Sequence, residues 1–440
     1  MRKHVLGAAL SIALAGVSAD AARAADTEVD VKAEIARAIE DARAAEARGD
    51  MAFARDLHSW LAMVHLERGE HAQAVATSQK LVDLDREVLV LDHLLLASAQ
   101  EDTDELHAAE AKVREALRLQ EGQPEHEPLG SSYRLLGRLL YAKKDYAGAL
   151  RSYERALEVF TRLEDELGMA MVHGNLGALS EAQGDLGKAR TQFERALELA
   201  RQAGEHETAK ALVERIARIG SPEPTPETPA REPVPAELAA KVAQAREEAR
   251  ALEAKGGIVP ARAIYVDLAD FDRQRGDLAL EVESRRRILE IDQRLQAGDH
   301  GTLGRAQEAS GALGPAETSL REAVRLQEAL PVDPRSLGTA LLGLGKLQLL
   351  KGDRAGARQS LERANALFAS AEFKQGLAAT HMGLATLSTL AGDAAESRTH
   401  LERARELARE IGDEATVQSA TRALELLRER ESLPKASAPA

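Results

Sequence analysis

From Val31 onward the apolar positions recur three and four residues apart in blocks of about 12 to 19 residues, each closed by a short Gly, Asp or Pro turn such as Gly69-Glu70, Gly184-Asp185, Gly276-Asp277 or Gly352-Asp353. Blocks of this length are too long for strands and lack the sustained heptads of a coiled coil. They predict an all-α chain of amphipathic helices arranged as successive helical hairpins.

Aligned on a Leu followed by a small residue, the blocks form eight units, with the small residue at Ala62, Ala97, Gly137, Gly177, Ala269, Gly304, Gly345 and Ala385. Seven residues further on, Gly stands in six units (Gly69, Gly184, Gly276, Gly311, Gly352, Gly392), with Asp104 and Lys144 in the other two, which suits a left-handed helix terminus. Ala recurs at Ala109, Ala149, Ala189, Ala316 and Ala357 and again seven residues later at Ala116, Ala156, Ala196, Ala323 and Ala364. Between those alanines lies a larger apolar residue, as at Tyr153, Phe193, Leu320, Leu361 and Leu401. Small residues let two helices approach closely, and bulky ones fill the space between them.

This register resembles the tetratricopeptide repeat, with its Leu-Gly, Ala-x3-Phe and Ala positions, over about 370 residues. The resemblance implies an α-solenoid of helical hairpins that binds protein or peptide partners. Where the family favours Trp, this chain has His58, His93, Tyr133, His173, Tyr265, His300, Leu341 and His381. The unit spacings of 35, 40 and 40 residues, then 35, 41 and 40, mark a long-repeat type of about 40 residues against the usual 34 or so.

The matching spacings also point to a duplication at an offset of 207 residues: Glu115-Ala-Leu-Arg-Leu-Gln-Glu121 answers Glu322-Ala-Val-Arg-Leu-Gln-Glu328. The expected organisation is a module at 25–220 (leading helix, four hairpins, closing helix), a Pro-rich linker at 221–235, a second module of the same plan at 236–431, and a disordered tail at 432–440. Residues 1–24 read as a signal peptide: Arg2 and Lys3, an apolar run from Val5 to Val17, and Ala22-Arg23-Ala24 as a cleavage site. The run is too short to span a bilayer, so the expected product after cleavage has no integral membrane segment and is periplasmic or secreted.

Charge and chemistry narrow the function further. The formal net charge is -14, and -16 for the chain from Ala25, a balance that repels phosphate backbones and argues against nucleic-acid binding. With no cysteine there is neither a disulfide nor a thiolate nucleophile. No G-x-S-x-G, H-E-x-x-H, Walker or dinucleotide-binding pattern appears in a usable setting, so no enzyme activity, cofactor or metal is expected. Five histidines stand at the consensus Trp position and read as helix spacers; His58 and His65, seven apart, lack the three- or four-residue spacing of a helix-borne metal pair. Arg285-Arg286-Arg287 is an isolated basic spot, read as an exposed helix turn ahead of a docking patch.

In the family the resemblance points to, the first helix of each hairpin lines the concave face and meets the ligand. Carried over to the third unit, that face presents Arg134, Arg138 and Tyr141, joined by Met171 and Asn175 from the next unit: an anchor for an acidic or C-terminal carboxylate peptide. Arg138 stands where the family's chaperone-binding carboxylate clamp has Asn, which sets this face apart from that clamp. The seventh unit offers the more apolar Leu342, Lys346 and Leu349, followed by Met382. Two readings result: an exported scaffold binding a protein or peptide, and a self-assembling homo-oligomer of the cell envelope.

Overall fold

The computed structural model describes residues 21–124, 126–219, 235–331 and 333–432; the expected leader up to residue 20, the linker save Pro235, and the tail beyond Ser432 lie outside them. The described residues form helices joined by short turns, with no strand among them. In chain order they are α1 (Ala21–Ala47), α2 (Met51–Glu67), α3 (His71–Asp102), α4 (Leu106–Leu119), α5 (Glu127–Ala142), α6 (Tyr146–Arg162), α7 (Glu166–Ala182), α8 (Leu186–Gln202) and α9 (His206–Ala217). The second half follows with α10 (Ala236–Ala254), α11 (Ile258–Arg275), α12 (Leu278–Ala309), α13 (Leu313–Glu328), α14 (Pro334–Lys351), α15 (Arg354–Ser370), α16 (Lys374–Ala391), α17 (Ala394–Ile411) and α18 (Glu414–Ser432).

The turn dipeptides act at both helix ends they separate. Gly184, Gly352 and Gly392 take φ of 81°, 81° and 83°, closing one helix in the left-handed conformation. The next residue, Asp185, Asp353 or Asp393, caps the following helix by accepting a 2.9 Å hydrogen bond from the amide three residues on. Asp104 and Lys144, the departures from Gly, adopt the same conformation at φ of 62° and 63°.

In the four units whose small register position is Gly, it sits against the bulky residue sixteen further on. A methyl group added at Gly177 would lie 2.7 Å from the Phe193 ring, at Gly304 2.7 Å from Leu320, and at Gly345 2.8 Å from Leu361; Gly137 is pressed against Tyr153 in the same way. Hairpins then stack on their neighbours, and each first helix also touches the first helix of the next hairpin, as in α5 with α7 and α14 with α16. Buried Gln307 and Gln348 each receive a 2.8 Å hydrogen bond across their hairpin, from Ser319 and Ser360 respectively.

Two helices depart from the hairpin plan. The register places the second helix of one unit and the first helix of the next inside 71–102, and again inside 278–309, but α3 and α12 each run unbroken for 32 residues. In α3 the physical reason is local: Arg86-Glu-Val-Leu-Val-Leu91, where a turn would fall, holds no Gly, Pro or Asn to end a helix; α12 runs on through Gly298-Asp299 and Gly301, so residue type does not explain its continuity.

By compactness the chain forms two units, one made of the residues up to Asp85 together with those from Gln293 onward, the other of Arg86–Asp292. In the first, α1 and α2 meet through Ala38, Ala42, Leu57 and Leu61, with Trp60 packed at the edge; Ala45, Ala54 and Leu84 join α1 and α2 to the start of α3. The same unit continues through a core of Leu320, Leu341, Leu344 and Phe368, and closes where Leu424 of α18 covers Ala385 and Leu401. The second unit has its main core around Leu136, Leu139, Tyr153, Phe160 and Leu176, closed at one end by Ala209 of α9 against Leu199 and Ala200. Its other side joins Leu89, Leu96 and Ala99 of α3 to Val282 and Leu289 of α12.

Each unit also sets an arginine, buried Arg55 in one and half-buried Arg262 in the other, between two buried aspartates. In the first, Arg55 Nε donates to Asp85 Oδ1 at 2.5 Å and the opposite end of the guanidinium pairs with Asp299. Burial opposes the charge on Arg55, but Asp85 and Asp299 more than offset it and hold the group cationic. Burial, then the neighbouring Asp299, pushes the Asp85 carboxyl well above the usual carboxylate range; burial likewise raises Asp299. In the second unit Arg262 Nε donates to Asp292 Oδ1 at 2.6 Å, with Asp92 at 3.8 Å, and burial followed by Asp292 raises Asp92.

The charge balance of the first cluster gives a measurable consequence. Replacing Arg55 by Met leaves two buried carboxyls without a cation, a change worth about 3–5 kcal/mol at pH 7. A carboxyl whose pKa is raised by folding contributes stability below its folded pKa and loses it as pH rises through that value. Urea denaturation of Arg55→Met should therefore show a large loss at pH 7 that shrinks as the pH is lowered toward 5; the parent protein, whose Asp85 and Asp299 carboxyls are already raised, should gain stability over the same range by a smaller amount.

Candidate functional site

The residues singled out on the third and fourth units lie on α5 and α7, which pack against each other in the second compact unit. On α5, Leu135, Leu136, Leu139 and Leu140 are buried, which leaves Arg134, Arg138 and Tyr141 on the remaining face, all partly accessible. Arg134 Nε is buried with no hydrogen-bond partner, as is Asn175 Nδ2 on α7. Burial pushes the Arg134 guanidinium below its ordinary pKa, and the neighbouring Arg138 adds to this, with Tyr153, Glu101 and Glu127 acting the other way. Met171 is exposed. Each of the two packed helices thus carries a buried donor without an acceptor, and α7 an exposed thioether. That combination favours an incoming carboxylate or carbonyl oxygen with an apolar neighbour.

Arg138 is differently placed. Its guanidinium donates to Glu101 Oε2 at 2.7 Å, an acid at the end of α3 that the sequence reading did not single out. Burial raises the Glu101 carboxyl, and Arg138 partly counters the shift. The signal for Glu101 was present in the register: it stands four residues after Ala97, as Tyr141 stands four after Gly137. Glu181, four after Gly177, repeats the arrangement by accepting from Arg215 of α9 at 2.7 Å. Tyr141 stacks at a tilt on Tyr146, ring centres 5.9 Å apart, which orients its ring at the hairpin turn.

The seventh unit presents less. Leu342 packs onto the core of its compact unit, and Met382 lies against Ala385, Leu401 and Leu424. Lys346 is exposed and Leu349 half-buried. This face therefore spends two of its four singled-out side chains on internal packing.

Other candidates for chemistry resolve into structural roles. His58 meets Glu46 at 2.8 Å and His65 meets Glu70 at 2.6 Å. His173 and His381 each reach across their hairpin, to Gln192 at 2.7 Å and His400 at 3.0 Å. Among the described residues no three His, Cys, Asp or Glu side chains are grouped to hold a metal ion. The basic triplet is neutralised: Arg285 pairs with Glu281, Arg286 with Glu105, and Arg287 with Glu253 and Glu290. No helix among the described residues is long and apolar enough to cross a membrane.

Models of the tetratricopeptide repeat match residues 93–162 and 172–203, so the chain carries tetratricopeptide repeats, a fold whose members generally mediate protein–protein interaction. The matched stretches contain α5 and most of α7, and with them Arg134, Arg138, Tyr141 and Asn175 of the face described above, while Met171 lies just outside. No curated protein matches the chain. Among solved structures it is similar to BtubC from P. vanneervenii, 22% identical over 46% of this chain and 96% of that one, with a TM-score of 0.26. It is also similar to the TPR2AB domain of yeast Sti1 in its pHSP90 complex, at 15% identity over 70% and 99% of the two chains and a TM-score of 0.25. Pseudomonas aeruginosa pilF is 13% identical over 78% and 99%, with a TM-score of 0.22. Likeness at this level carries no information about a ligand.

Proposed function

We propose that the protein is an exported, non-enzymatic binding scaffold, periplasmic or secreted, which captures a protein or peptide partner on the face of α5 and α7. The observation that carries this reading is the pair of buried donors, Arg134 Nε and Asn175 Nδ2, left without acceptors on the same face as Arg138, Tyr141 and exposed Met171. A buried donor that lacks an acceptor costs roughly 1–3 kcal/mol, which an arriving carboxylate would recover. Two guanidinium groups on one helix face of an otherwise acidic chain favour a partner segment that bears an acidic side chain or a terminal carboxylate. Glu101 acts as a built-in competitor for Arg138 and so sets a threshold that a weakly acidic segment does not pass.

Capture of a library of acidic and C-terminal peptides by the full chain tests this directly. Arg134→Glu with Arg138→Glu should lower capture at least tenfold with helicity by circular dichroism unchanged, while Glu101→Gln should strengthen it; unaltered capture in the double variant removes the site assignment. Export has its own check: fractionation of the native cell should find the protein outside the cytoplasm with an N-terminus at Ala25, and a full-length cytoplasmic product would refute it.

A second reading, a self-assembling element of the cell envelope, is favoured by Leu350 and Leu390. Each stands five residues after the small register position of its unit, and they are 62% and 48% exposed. It predicts a weight-average mass by light scattering that rises with concentration and falls back when both leucines are replaced by Gln; a monomer mass at every concentration would exclude it.

A further inference from the structure

The two Arg–Asp–Asp clusters are one arrangement built twice. At the 207-residue offset that relates the halves, Arg55 corresponds to Arg262, Asp85 to Asp292 and Asp92 to Asp299. Arg55 binds Asp85 of its own half and Asp299 of the other. Arg262 binds Asp292 of its own half at 2.6 Å and has Asp92 of the other half at 3.8 Å. Each arginine therefore takes its second carboxylate from the opposite half, and the two contacts are reciprocal: 55 meets the counterpart of 92, and the counterpart of 55 meets 92. Each contact lies within one compact unit and joins the two halves there.

The apolar contacts run the same way. Leu89, Leu96 and Ala99 of the first half share a core with Val282 and Leu289 of the second. Of the counterparts, Leu303, Ala306 and Val82 are buried apolar residues, while Leu89 answers to buried Gln296 and Val282 to half-buried Val75. The compact units follow this pairing and not the halves: each begins with the leading helix and first hairpin of one half and continues with the later hairpins of the other.

The unbroken helices account for this. The repeat match opens at His93, in the middle of α3, so the second helix of one repeat and the first of the next are fused where a repeat ordinarily turns. A turn at 86–91 would send the chain back onto its own first hairpin. A straight helix instead carries it on to the place where the other half supplies the missing neighbour.

We propose that the two halves are an exchanged pair of copies: within each compact unit the first hairpin of one half, through Arg55 and Asp85 or through Arg262 and Asp292, recognises the later hairpins of the other half, a second copy of the same module that this chain supplies in cis. Neither half is a complete module, and each unit is held together by contacts between the halves. This is independent of what the α5–α7 face binds.

A protease site inserted between Thr225 and Pro226 of the full chain tests the proposal. The folded protein is cleaved to completion and passed over a sizing column with in-line light scattering at micromolar concentration. The two fragments should stay together at the mass of the uncut protein, and Arg55→Ala with Arg262→Ala should weaken that association at least tenfold. Separation of the cleaved halves, whether folded or unfolded, overturns the exchange, and an unchanged association in the double variant overturns the assignment of these residues as the surface that holds them.

Discussion

Two helices can pack side by side along most of their length only where their axes come close, and in this chain that closeness is set at one position per hairpin. Gly177 against Phe193, Gly304 against Leu320 and Gly345 against Leu361 leave no space for a side chain on the first helix. Everything else in a hairpin is arranged around that contact. It fixes how the two helices meet, which places the Gln–Ser hydrogen bonds across the hairpin and brings first helices of neighbouring hairpins within reach of each other. The tolerance is small because a core packed at crystal density has nowhere to displace a ring.

The same close approach leaves a distinct outer face on each first helix, and there the units differ. In the third unit the face carries Arg134, Arg138 and Tyr141; in the seventh the equivalent places hold Leu342, Lys346 and Leu349. The scaffold tolerates this because those positions are not the ones that make the close contact of glycine with the bulky residue across the hairpin. Arg138 shows the other side of that freedom: in the absence of a ligand, Glu101 balances its charge, so it does not stand as an unpaired cation beside partly buried Arg134.

Much of the fold was legible because helix periodicity, the small register position and the Gly-Asp turns each repeat and agree with one another. Asp104 and Lys144, which break the Gly pattern, still adopt left-handed backbone, so the turn is imposed by the packing around it and not by residue type alone. What could not be read was the absence of a turn. Residues 86–91 and 293–298 sit inside a register whose spacing, 35 residues, is that of an ordinary repeat with its turns, so a turned unit and a fused helix look alike in sequence. Arg55, Asp85 and Asp299 were invisible for a related reason: 244 residues separate Arg55 from Asp299, and no local pattern announces a contact at that distance. On the candidate face, the positions of Arg134 and Arg138 followed from register, but the pairing of Arg138 with Glu101 required knowing that the end of α3 lies beside α5.

The way the units divide the chain also orders events in time. Residues 86–292 are continuous, so that unit has all its parts once Asp292 exists. The first two helices and the start of α3 have no such luck: Leu57, Leu81 and Leu84 are made early, while the carboxylate that completes the Arg55 cluster is made 244 residues later. At about 5–20 residues per second of synthesis that is a wait on the order of ten to fifty seconds. For that interval the leading segment of the chain is an apolar surface with no destination, and whatever handles the nascent protein has to keep it from finding one elsewhere.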